Sequence, residues 1–202
     1  FDFYNFCVGK MINPLLLFFG EHSVTSLPDQ YSFFDILICM IKVILFDADG
    51  VLINGEMFRI RLFEDYGLTA EITKPFFSGP FIDCITGQAD LKQVLPSYLK
   101  EWKIDKTVEE FLDYWFKSEH NIDQELVETI HTLRSNGLRC YLATNQEIYR
   151  IQYMLDKMGF ANCFDKIFAS AHLGYKKPAQ EFFIKIYDEL GVNKDEVLFV
   201  LF

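Results

Sequence analysis

No stretch of this chain stays apolar for the roughly 20 residues that a bilayer-spanning helix requires. The longest early run, residues 14–19, is far too short, and the run over residues 33–40 is broken by Asp35. The start of the chain has neither a basic segment nor a small-residue cleavage site, so no secretory leader is expected. Basic residues are scarce: 19 Lys and Arg stand against 29 Asp and Glu, a formal net charge of −10. With no Lys/Arg cluster, neither a phosphate backbone nor an anionic bilayer would be attracted, which argues against nucleic-acid and membrane partners. A small anion can still be held locally. The five cysteines, Cys7, Cys39, Cys84, Cys140 and Cys163, are odd in number and include no C-x-x-C pair. That excludes a disulfide framework and a zinc site, and a cytoplasmic, reducing location is expected. His120, His131 and His172 likewise lack metal-ligand spacing and read as surface groups.

Phe, by contrast, is plentiful, with 22 of the 202 residues, and half of the chain is hydrophobic. Such a chain folds around a real core. Residues 1–39 are rich in Phe and Tyr but carry no period, and Met40 stands just before the first strand run. They are expected to be an extension outside the core.

The run Ile41-Lys42-Val43-Ile44-Leu45-Phe46 is apolar without alternation after Lys42, the pattern of a strand buried on both faces of a parallel sheet. It ends in Asp47-Ala48-Asp49-Gly50. In open α/β sheets ligands bind beyond the carboxyl ends of the strands, where these two acids fall. If the chain stays extended, both side chains leave the same side of the backbone. Neighbouring carboxylates repel, so a cation such as Mg²⁺ or a shared proton must neutralise them. The plainer alternative is an Asp-rich turn leading into a helix.

After Gly55 the apolar spacing turns helical, closing at Gly67 as a C-cap. Residues 69–121 continue as helices with no strand, broken at Ser78-Gly79-Pro80. An insertion of this length is too long for a βα connection, so residues 55–121 are expected to form a small helical cap domain. Phe76, Phe81, Trp102, Tyr114, Trp115 and Phe116 are its expected core, some of them available to line a pocket. The βα alternation then resumes: a helix over residues 126–133, a strand over 138–143, a helix over 147–158, a strand over 166–169, a helix opened by Pro178 and ending at Leu190, and a strand over 197–202. Asp123 and Asp195-Glu196 mark helix starts and turns. The fold class is α/β, a Rossmann-like parallel sheet with helices on both faces, built from residues 40–54 and 122–202.

Parallel βαβ crossovers gather strand ends on one edge, so Asp47 and Asp49, Thr144 and Asn145, and Lys177 can converge. This set suits phosphoryl transfer. One Asp can attack phosphorus and form an aspartyl-phosphate; the other can protonate the leaving oxygen and then take a proton from water. Thr144 and nearby N–H groups can hold phosphoryl oxygens, and Lys177 can offset charge. Thr144 also reads as a helix N-cap, and Lys176 could do the work of Lys177.

Phe46-Asp47-Ala48-Asp49-Gly50-Val51-Leu52, Leu142-Ala143-Thr144-Asn145 and Lys177-Pro178 resemble, in order, the first three motifs of the haloacid dehalogenase-like hydrolase superfamily, and the helical insertion resembles that family's small cap. The resemblance implies Mg²⁺ dependence, with Asp47 as nucleophile and metal ligand. It implies Asp49 as acid/base with its backbone carbonyl on the metal, Thr144 on phosphate and Lys177 as charge clamp; Asn145 is a further candidate for substrate binding. Dehalogenases of the family generally lack the second Asp, so its presence here favours phosphate chemistry. The family's fourth motif, a pair of acids after the last strand, is replaced by Leu201-Phe202. A fragment with weakened Mg²⁺ binding and reduced activity is therefore expected. The function expected is a Mg²⁺-dependent phosphatase of a small phosphorylated metabolite, with a phosphomutase or a non-catalytic phosphate-binding module as alternatives.

Overall fold

The computed structural model describes residues 40–201, so the extension expected over residues 1–39 lies outside the described residues. Among them, four parallel strands form one sheet: β1 (Val43–Phe46), β2 (Arg139–Thr144), β3 (Lys166–Ala169) and β4 (Val197–Val200), in the order β3-β2-β1-β4. Between β1 and β2 come α1 (Phe58–Tyr66), α2 (Ala70–Phe77), α3 (Pro80–Ile85), α4 (Leu91–Glu101), α5 (Val108–Ser118) and α6 (Gln124–Ser135). Then follow α7 (Ile148–Asp156) and α8 (Phe160–Cys163) ahead of β3, and α9 (Ser170–Leu173) and α10 (Gln180–Leu190) ahead of β4. Among the described residues, no helix is long and apolar enough to cross a membrane.

All four residues of β1 are buried, which accounts for its unbroken apolar run. The strand period of two divides them between two layers. Ile44 and Phe46, with Cys140 and Leu142 of β2, pack on Leu126, Ile130 and Leu133 of α6 and Met154 of α7. Val43 and Leu45, with Tyr141, Ala143 and Phe168, pack on Phe182 and Ile186 of α10. The sheet is thus covered on both faces, as a Rossmann-like α/β fold requires.

Helices α1 to α5 enclose an apolar cluster of their own, centred on Phe58, Phe76, Leu95, Phe111 and Trp115. Phe58 stacks on Trp115 at 4.6 Å between centroids. Of the six aromatics expected in this core, Phe76, Trp102, Trp115 and Phe116 are buried, while Phe81 and Tyr114 are half-buried. The helix ends follow local chemistry. Thr107 and Glu110 form a capping box on α5, Asp90 accepts the Lys92 N–H at the start of α4, and Gly67 closes α1 in the left-handed conformation. The chain leaves the sheet and returns at one place: Ile53 bridges Ile122, and the Asn54 N–H donates to the Asn121 carbonyl at 2.7 Å. Asp123 then N-caps α6 through the Leu126 N–H at 2.9 Å, the helix start read for it.

Several boundaries differ from expectation. β2 begins at Arg139 because the Leu138 N–H is taken by the Leu133 carbonyl in closing α6. β4 ends at Val200, with Leu201 outside it. Pro178 does not sit in the first turn of α10; the N-cap is Ala179, and the Lys177–Pro178 peptide is cis.

Candidate active site

Strand pairing continues one residue past β1: the Asp47 N–H donates to the Val200 carbonyl at 3.0 Å. The backbone then bends at Ala48, whose carbonyl accepts the N–H groups of Val51, Leu52 and Ile53. The chain therefore does not stay extended between Asp47 and Asp49, yet both side chains line one cavity, of about 790 Å³, at the carboxyl edge of the sheet. The same wall carries Asn145, just beyond β2, and Lys177, in the loop before α10. Of the five residues expected to converge, Asp47, Asp49, Asn145 and Lys177 share this wall, whereas Thr144 is not in its lining.

Lys177 Nζ lies 2.6 Å from Asp47 Oδ1, which also accepts the Ala48 N–H at 2.7 Å. That leaves Oδ2 as the Asp47 oxygen without a hydrogen-bond donor among the described residues. Between the two candidate lysines, Lys177 is the one on Asp47. Burial holds its ammonium below the ordinary lysine value, opposed by the attraction of Asp47. Asp49 opens to the cavity on one side while protein atoms crowd it on the others. This crowding raises its carboxyl above the usual range, Asp47 adds to the rise, and Arg150 and a 2.7 Å hydrogen bond from Gln146 Nε2 oppose it.

Asn145 has both ends of its amide engaged by one residue: Oδ1 accepts the Lys177 N–H at 2.7 Å, and Nδ2 donates to the Lys177 carbonyl at 3.1 Å. Its side chain fixes the backbone from which the lysine reaches Asp47. Thr144 is fully buried at the end of β2, and its hydroxyl has no hydrogen-bond partner. The N-cap of α7 is not Thr144 but Glu147. A buried hydroxyl without a partner is costly and rare.

Several residues in contact with this site escaped the sequence reading. Gln146 and Glu147 directly follow the Thr144-Asn145 pair, with Arg150 in the first turn of α7, and Gln146 holds Asp49. Arg150, 2% exposed, donates to the Phe116 carbonyl at 2.9 Å and lies 3.6 Å from Glu119 Oε2, joining α7 to the end of α5. Glu119 in turn accepts the Phe58 N–H at 3.0 Å and the Trp115 indole N–H at 3.1 Å. Their proximity to Thr144-Asn145 was the available signal. Of the remaining groups, His120 makes a 2.9 Å contact with the Tyr153 hydroxyl, and no group of three His, Cys, Asp or Glu side chains among the described residues forms a metal cage.

The model for haloacid dehalogenase-like hydrolases matches residues 41–200. A predicted HAD-like family hydrolase from Porphyromonas gingivalis superposes with a TM-score of 0.66 at 26% identity, covering 79% of this chain and 81% of that one. A HAD family enzyme from Bacteroides thetaiotaomicron in complex with magnesium gives 0.68 at 20% identity, covering 79% and 83%, and L-2-haloacid dehalogenase from Xanthobacter autotrophicus gives 0.54 at 21%, covering 79% and 69%. The chloroplastic protein SUPPRESSOR OF QUENCHING 1 of Arabidopsis thaliana is 26% identical over 171 residues. That match takes in 79% of this chain but 16% of the relative, so the chain spans about a sixth of that protein's length. With the match running from the strand that carries Asp47 to the strand that pairs beside it, the chain belongs to the haloacid dehalogenase-like hydrolases.

Proposed function

We propose that this hydrolase is a Mg²⁺-dependent phosphatase of a small phosphorylated metabolite, working through an aspartyl-phosphate on Asp47, with the helical insertion as a cap over the site. The observation that carries the reading is the unequal treatment of two neighbouring acids. Asp47 is held against the Lys177 ammonium at 2.6 Å, while crowding favours the protonated form of Asp49. A nucleophile and a general acid need those opposite states.

In the first step Asp47 Oδ2 attacks phosphorus. An O–P bond forms as the ester P–O bond breaks, and Asp49 gives its proton to the departing alkoxide oxygen. In the second, the Asp49 carboxylate takes a proton from water while the water oxygen attacks phosphorus. The Oδ2–P bond breaks, restoring Asp47 and leaving inorganic phosphate. Lys177 balances the charge on Oδ1 throughout, Asn145 keeps Lys177 in place, and the Thr144 hydroxyl is the candidate donor to a phosphoryl oxygen.

Oxygen donors without His or Cys suit Mg²⁺, which commonly takes one or two carboxylates and fills its shell with water and phosphate oxygens. The Asp47 carboxylate and Asp49 backbone carbonyl would hold it, and when bound it would neutralise phosphate charge. The Bacteroides thetaiotaomicron enzyme has been solved with magnesium and inorganic phosphate, which supports this reading. Dehalogenation is a weaker fit, because a departing halide needs no proton and Asp49 would have no task.

The test is phosphate release, with and without Mg²⁺, from 4-nitrophenyl phosphate and from an alkyl phosphate. Asp47→Asn is expected to abolish turnover of both. Asp49→Asn is expected to cut alkyl phosphate turnover by roughly 10²–10⁴-fold, the range for a general acid, and to cost less with the good nitrophenolate leaving group. Turnover that survives Asp47→Asn would overturn the proposal.

A further inference from the structure

A second cavity, of about 390 Å³, lies between the sheet edge and the helical insertion. Asp49, Asn145 and Gln146 form one side of it and are joined on the other by Phe77, Phe81 and Trp115. Asp49 and Asn145 also line the larger cavity that holds Asp47 and Lys177, so the two spaces meet at the proposed acid. A leaving group protonated by Asp49 can extend from there into the smaller cavity, whose volume admits a small metabolite.

Four charged residues line that space: Asp49, Glu119, Arg59 and Lys74. Both acids are already engaged by protein groups, Asp49 by Gln146 and Glu119 by the Phe58 N–H, Trp115 and Arg150. Arg59 and Lys74 are exposed and, among the described residues, have no acidic partner. In a chain of net charge −10, two unpaired cations facing a cavity beside the reacting acids give an anion local attraction there.

Building on the phosphatase reading, we infer that the substrate is a phosphomonoester whose leaving portion carries a second anionic group. Arg59 and Lys74 bind that group, while Phe77, Phe81 and Trp115 cover the apolar body between the two anions. A planar guanidinium favours carboxylate or phosphate, so either chemistry fits, and each can be offered separately. Lys74 also lies in the last turn of α2, where a cation favours the helix dipole. That role alone would leave ligand choice untouched.

The experiment measures binding rather than turnover. Calorimetric titration of the whole chain compares benzylphosphonate, 4-carboxybenzylphosphonate and the corresponding bisphosphonate, none of which carries a hydrolysable ester. Two exposed ion pairs are expected to make the doubly anionic ligands bind about tenfold tighter than benzylphosphonate, with the tighter of the two naming the second group. The Arg59→Gln, Lys74→Gln double variant should lose that preference while binding benzylphosphonate as before. Equal affinities in the unaltered chain, a preference that survives in the double variant, or no binding of any phosphonate would overturn the inference. A preserved preference in a chain that releases no phosphate from any ester would count against the phosphatase reading alone.

Discussion

Glu147 accepts the N–H groups of Tyr149 and Arg150 at the start of α7, yet only 3% of its surface is exposed. Burial pushes its carboxyl up to about 7, with Asp90 adding to the rise and the two N–H groups and Arg150 opposing it; Cys84 and the Tyr149 ring also face it. A carboxyl whose folded value is raised stabilises the fold most below its unfolded value of 4.5, and that contribution is lost as pH rises through about 7. Glu147→Gln cannot ionise. Chemical denaturation is therefore expected to show this variant gaining about 1–3 kcal/mol relative to the parent between pH 4.5 and pH 8. An unchanged difference across that range would show that Glu147 ionises freely in the fold. At this scale Asp47, Asp49 and Lys177 were legible, because strand ends gather and acids there need neutralising. Gln146 and Arg150 were not. Their importance comes from partners as distant as Asp49 and Phe116, and no local rule pairs them.

The long elements were legible from period and end signals. The apolar stripes of α4, α5 and α6 and the unbroken apolar β1 leave little choice, whereas α8 and α9, of four residues each, are too short for a period to be seen. Pro178 misled because a favoured first-turn residue is equally at home in the turn before a helix. The turn between α3 and α4 also matters beyond its length. Gly87 has φ +71, and a Cβ there would lie 2.2 Å from the Ala171 carbonyl oxygen of α9, so the insertion meets the sheet domain backbone to backbone. Gly67 has φ +67 with open space around it. Gly67→Ala should thus cost about 1 kcal/mol for the left-handed conformation alone, and Gly87→Ala distinctly more, on the order of 2–3 kcal/mol. Urea denaturation of the two variants measures the difference, and equal losses would mean that the contact with Ala171 yields easily.

At the scale of the molecule, β1 is the strand on which the sheet is laid down. One neighbour begins at Arg139 and the other at Val197, both beyond the whole of α1 to α5. A chain emerging from the ribosome therefore makes β1 early and its partners late. The insertion, whose buried aromatics all fall between Phe58 and Phe116, can close its core in the meantime. Local helical contacts form faster than distant parallel pairings, so order of synthesis and speed of closure act in the same direction. Pulsed hydrogen exchange during refolding is expected to protect amides of α4 and α5 before those of Val43–Phe46; simultaneous protection would show that the sheet and insertion fold as one unit. Until β4 is made, the apolar strand that leads into Asp47 and Asp49 has no partner on that side, and this open edge of the nascent chain is one that a chaperone would shield.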